Sequence, residues 1–82
     1  MRGMYDLARW QSRRWEKGSR YYVAELTQNL FGMWQLVQRW GRKHTRLGGQ
    51  LHRSADSDAD ALFQLAGVAR CRASRGYRET EL

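Results

Sequence analysis

Trp40, Gly41 and Arg42 end an alternating apolar stretch and open a basic run, Lys43, His44, Thr45 and Arg46. An indole and a guanidinium separated by a residue with no side chain suit a nucleic acid. The ring stacks on a sugar or base while the arginine takes a phosphate. Stacking contributes about 1–3 kcal/mol per base, and phosphate contacts add a salt-dependent term. The same pattern fits a core indole, because Trp34 falls on the same strand face, so the spacing leaves both readings open. Arg39, Arg42, Lys43, Arg46 and Arg53, with Arg72 and Arg75 further along, are the candidate basic patch. Arg39 alternates onto the face opposite Trp40, where it is expected to meet solvent alone.

Charge supports a polyanion partner. Fifteen Lys and Arg against eight Asp and Glu leave +7, and only Lys17 and Lys43 are lysines. Arginine's planar fork binds phosphate bidentately and stacks on bases, whereas lysine acts as a hydrated point charge. The balance is uneven: eleven cations and three acids lie in residues 1–55, four cations and five acids in 56–82.

Catalytic sets are hard to assemble. His44 and His52 do not match a metal-binding spacing, and Cys71 has no cysteine partner, so neither zinc nor any other cofactor is expected. Cys71 reads as an exposed thiol. Asp56, Asp58 and Asp60 suit a helix N-terminus better than a cation site. Gly41, Gly48 and Gly49 do not have phosphate-loop spacing. Eighty-two residues also exclude a two-domain enzyme, a TIM barrel or a full dinucleotide-binding fold. With 41% apolar residues, 12% aromatics and no proline, the chain fits one small globular domain. No apolar run approaches the roughly 18 residues of a membrane helix. Met1 to Trp10 lacks a signal peptide's apolar core, and a lone cysteine fits a reducing compartment. The expectation is a soluble, cytoplasmic protein.

The elements that must position these residues follow from periodicity. Met1–Trp10 is a lead-in, Gln11–Lys17 is polar and aromatic, and Lys17-Gly18-Ser19 reads as a turn. Arg20–Gln28 alternates as a strand, with Tyr22, Ala24 and Leu26 on one face and Tyr21, Val23 and Glu25 on the other. Asn29-Leu30-Phe31-Gly32 is a turn. Met33–Arg42 is a second strand, with Trp34, Leu36, Gln38 and Trp40 on one face. A turn around Gly48-Gly49 precedes a third strand, Gln50–Arg53. Ser57-Asp58-Ala59-Asp60 resembles a capping box. Leu62, Leu65, Ala66, Ala69 and Ala73 then form the stripe of a helix that Gly76 ends, with Tyr77 folding back onto the sheet.

Taken in order, these residues resemble the WGR domain of poly(ADP-ribose) polymerases and small bacterial proteins. The resemblance runs from Arg20-Tyr21-Tyr22 and Leu26 through Asn29-Leu30-Phe31-Gly32 and Trp34-Gln35-Leu36-Val37. It continues through Trp40-Gly41-Arg42, Thr45, Gly48 and Gly49 to the helix Ser57–Arg72 and Arg75-Gly76-Tyr77. It implies an α+β fold: an antiparallel sheet of three to five strands with a single C-terminal α-helix packed across one face. The domain would occupy 11–78, with 1–10 as lead-in and 79–82 as tail. In the polymerases this domain binds DNA at a strand break. The resemblance puts the terminal-nucleotide contact on Trp40, a nearby contact on Arg42, close approach on Gly41 and a helix-end contact on Arg72. Lys43-His44 stands where the family has an apolar residue and then Gly, which implies an altered loop.

The resulting expectation is a non-enzymatic, monomeric nucleic-acid-binding module. Its partner is DNA at ends, nicks or distorted duplex, with RNA also compatible. The other class is a protein-interaction module using the aromatic, arginine-rich surface, since Trp, Tyr and Arg dominate protein hot spots as well. Salt dependence separates the two.

Overall fold

A computed structural model describes residues 5–80; residues 1–4 of the expected lead-in and 81–82 of the expected tail lie outside the described residues. Five antiparallel strands form one sheet: β1 (Gln11–Lys17), β2 (Arg20–Gln28), β3 (Trp34–Arg42), β4 (Gly48–Ser54) and β5 (Arg78–Thr80). The order across the sheet is β4-β3-β2-β1-β5. Among the described residues a single α-helix, α1 (Asp58–Ser74), packs against β2 and β3, and a short 3-10 turn, Leu7–Arg9, precedes β1. This is the α+β architecture expected.

The alternation in β2 and β3 holds residue for residue. Ala24, Leu26 and Leu36 are fully buried beneath α1, with Tyr22 and Trp34 packed against them. β1 reads less clearly because Trp15 is its one buried apolar residue; it joins the core opposite Tyr22. On the open face, Val23 and Val37 are also buried, beside an Arg39–Glu25 ion pair at 2.8 Å. Arg39 does face away from Trp40, but it is paired and not alone in solvent.

Three details differ from the periodicity. Gly48 and Gly49 belong to β4, and the turn lies earlier, within residues 43–47. Glu79 and Thr80, placed above in a tail, pair with β1 in β5. The third concerns the helix. Its sheet-facing stripe is Ala61, Leu65 and Val68, whereas Leu62, Ala66 and Ala73 are exposed. Short apolar side chains surround this helix, so two stripes compete, and the entry geometry decides. Ala55 is buried, and its N–H donates to the Trp34 carbonyl at 3.0 Å. Ser57 then caps the helix, its Oγ accepting from the Asp60 N–H at 3.1 Å. Asp60 Oδ2 reaches back to the N–H of Asp56, one residue before the cap. Continued by one turn, this phase brings Arg72 over the sheet.

β5 is clasped by Arg13, which donates to both carboxylate oxygens of Glu79 at 2.8 and 2.7 Å. Arg13 holds that carboxyl below its ordinary range. The clasp is therefore complete at neutral pH and is lost as pH falls through the lowered value, below the usual glutamate pKa of about 4.3.

Candidate nucleic-acid interface

Strand pairing stacks two rows of side chains at one end of the helix-covered face. Trp15, Tyr22, Trp40 and Gly49 are consecutive partners across β1, β2, β3 and β4. The Tyr22 and Trp40 rings stack with centroids 5.8 Å apart and planes 15° from parallel. Trp40 is 36% exposed, so it is not core like Trp15. A Cβ at position 49 would stand 2.6 Å from Trp40 Cζ2. Gly49 thus lets the indole lie over the backbone of β4, held between that strand and Tyr22.

Arg72 completes this row. Its guanidinium sits 4.2 Å from the Tyr22 ring centroid and 4.9 Å from that of Tyr77, and Nε is buried with no hydrogen-bond partner among the described residues. Tyr22, Trp40, Arg72 and Tyr77 line an open hollow of roughly 240 Å³. A second hollow, of roughly 300 Å³, shares Trp40 and Tyr77 and is lined by Arg20, Gly41, Arg42 and Leu47 among others.

One step toward the sheet's end lies a row of cations. Lys17 pairs with Arg20, and Arg20 with Arg42, on the same face as Trp40. Neighbouring strands are about 4.8 Å apart, so the row spans roughly 10 Å of backbone. Like charges directly opposite each other are destabilising. No carboxylate meets any of the three among the described residues; Lys17 Nζ donates instead to the Arg75 carbonyl at 2.8 Å. Arg9, Arg13, Arg14, Arg39 and Lys43 are all paired with acids.

The expected patch is therefore divided. Trp40, Gly41 and Arg42 line these hollows, and Arg72 forms a wall of the first. Arg75 caps α1, exposed, with its carbonyl held by Lys17. Arg46 is exposed in the β3–β4 loop. Lys43 alternates to the opposite face, where its Nζ meets Glu16 at 2.5 Å, and Arg14 meets the same carboxylate at 3.0 Å. Together they hold the Glu16 carboxyl below its ordinary range. Arg53 shares the face of Trp40 but pairs with Leu36, four residues back along β3, roughly 13 Å away. Gly41 has a packing duty of its own: a Cβ there would collide with the Leu47 carbonyl and stand 3.0 Å from Tyr21 Oη. The altered motif loop keeps a glycine-like backbone, since His44 adopts φ 63°, a region His visits more readily than most residues.

Arg20 and Lys17 are absent from the sequence-derived patch. The signal was present in the turn itself, because a two-residue hairpin at Gly18-Ser19 obliges Lys17 and Arg20 to pair. Cys71, expected to be exposed, is half-buried. Arg72 Nη2 donates to its sulfur at 3.4 Å, and Arg72, then Arg75, holds the thiol below its ordinary pKa. Iodoacetamide is expected to alkylate Cys71 faster than free cysteine at neutral pH. A ligand seated against Arg72 should slow that reaction, which mass spectrometry over a time course will read.

The motif tripeptide, the glycine under its indole and the helix-end arginine all converge on one surface, and the WGR domain family model matches residues 5–82. The chain belongs to the WGR domain family. No curated protein and no solved structure matches it significantly. WGR domains are in general nucleic-acid-binding modules and are not catalytic on their own. In this WGR domain, no helix among the described residues is long and apolar enough to cross a membrane.

Proposed function

We propose that this protein is a non-enzymatic DNA-binding module, working in the cytoplasm, that favours strand ends, nicks and distorted duplex over intact duplex. One observation carries the reading: a half-exposed, pre-stacked Trp40 stands beside a row of cations that no carboxylate neutralises. In continuous duplex every base has its faces covered by neighbours. A break or a distortion uncovers one, and a rigid indole offers it a new stacking partner. Arg42 and Arg20 then take the adjoining phosphates, and Arg72 backs the aromatic wall. Sequence specificity is low, because α1, the one α-helix among the described residues, is committed to the sheet and not to a groove.

The test is fluorescence anisotropy with nicked duplex bearing a 5′-phosphate, intact duplex, and single-stranded DNA and RNA, at two salt concentrations. The nick should bind most tightly, with affinity falling steeply as salt rises. Trp40→Ala should weaken nick binding by about 5- to 150-fold, the equivalent of 1–3 kcal/mol of stacking, and change intact-duplex binding much less. Equal affinity for nicked and intact duplex would overturn break preference. Tighter single-stranded RNA binding would reassign the partner.

A further inference from the structure

The opposite end of the sheet has different chemistry. The β2–β3 turn exposes Leu30 and Phe31 at 84% and 82%, with Met33 beside them at 58%. The turn holds them in one posture. Asn29 Oδ1 accepts from the N–H groups of Phe31 and Met33 at 2.9 and 3.1 Å, and Gln28 Nε2 donates to the Gly32 carbonyl at 2.8 Å. Gly32 sits at φ 79°, where a side chain would strain. Buried Gln28 also ties the preceding segment in, its Oε1 accepting from the Asp6 N–H at 2.6 Å and Trp10 Nε1 at 3.1 Å. Tyr5 Oη donates to the Leu30 carbonyl at 3.1 Å. A tightly bonded turn thus presents three apolar side chains that the domain's own core does not use.

The surroundings are acidic in an otherwise basic chain. Asp6, Asp56, Asp58 and Asp60 lie at this end against two cations among the described residues: Arg9, which bridges Asp6 and Asp58, and Arg53, which pairs with Leu36 near the end of β4. Eight residues of β2 separate this end from the Arg20 row, roughly 26 Å. The excess of carboxylates at this end disfavours a polyanion. Turn-to-turn pairing with a second copy would bring like carboxylates together. Contiguous exposed apolar surface marks interaction sites, and charge selects among partners.

We propose that this turn is a docking surface for a partner protein, through a segment whose apolar residues are flanked by Lys or Arg. The surface is distinct from the nucleic-acid interface and does not depend on it.

The probe is a fluorescein-labelled 18-residue amphipathic peptide of Leu and Lys, with a twin carrying Glu for Lys, titrated against the full chain. The Lys peptide should bind, and Leu30→Ser combined with Phe31→Ser should weaken it at least tenfold. Trp40→Ala should leave it unchanged. The substituted side chains are exposed, so an unshifted melting curve checks the fold. Equal affinity of variant and wild type for the Lys peptide would overturn the proposal. Binding of the Glu twin with the same dependence on Leu30 and Phe31 would overturn the charge assignment. A dimer in sedimentation velocity that Phe31→Ser dissociates would make the occupant a second copy.

Discussion

Replacing Arg20 and Arg42 together by Glu is expected to weaken nicked-duplex binding by about 10²- to 10⁴-fold. The figure follows from two charge-assisted hydrogen bonds at about 1.5–3 kcal/mol each. The reversed charges should also flatten the salt dependence, because each neutralised phosphate contributes a slope of about 0.9 in log affinity against log salt. Measuring the slope distinguishes lost phosphate contacts from a disturbed fold. The single Arg20→Glu variant sharpens the argument. Arg20 lies directly opposite Arg42 on one face, so glutamate there converts a repulsive pair into an attractive one. Cross-strand pairs of this kind contribute roughly 0.2–1 kcal/mol. The variant should melt slightly higher while binding less. A stabilised, weaker binder would show that the pair of arginines is kept for an external anion at the expense of the folded state.

The second large effect is on stability. Gly41→Val should cost about 3 kcal/mol or more, although valine favours strands. The new Cβ collides with the Leu47 carbonyl, and the Tyr21 hydroxyl and ring stand 3.0 and 3.2 Å away. Backbone oxygen cannot move without opening the β3–β4 ladder, so overpacking strain adds to lost hydrogen bonds. For a domain of this size the melting temperature should fall by roughly 15 °C, readable by circular dichroism. Since β4 carries Gly49 beneath Trp40, DNA affinity should fall in parallel. Unchanged stability would mean that Gly41 serves nucleic-acid approach alone, as the family resemblance implies.

Much of the architecture was legible in the chain because β2 and β3 alternate cleanly, and alternation fixes faces. β1 was obscure because it buries one residue, Trp15, among charged neighbours. The helix phase is not legible from the helix alone because Leu62 and Ala66 compete with Ala61 and Val68, and the buried Ala55 that settles the contest lies outside it. The candidate site was half legible. Trp40 and Arg42 announce themselves by type, whereas Lys17 and Arg20 matter through cross-strand register. Lys43 looked equivalent to Arg42, but alternation sends neighbouring residues to opposite faces, and Glu16 waits on the other side.

The placement of β5 has a consequence for how the protein comes into being. β2, β3 and β4 follow one another through short turns, so their pairing is local and inexpensive in loop entropy. β5 instead returns to β1 from the far end of the chain, with Arg13 meeting Glu79 across 66 positions. Arg72 and Tyr77 are delivered on that last approach. During synthesis the meander can assemble while the C-terminal segment is still in the ribosomal tunnel, but the aromatic wall beside Trp40 cannot. The Arg20–Arg42 pair and the Tyr22–Trp40 stack therefore belong to the locally paired strands, and the Arg72–Tyr77 wall is added only with the closing segment.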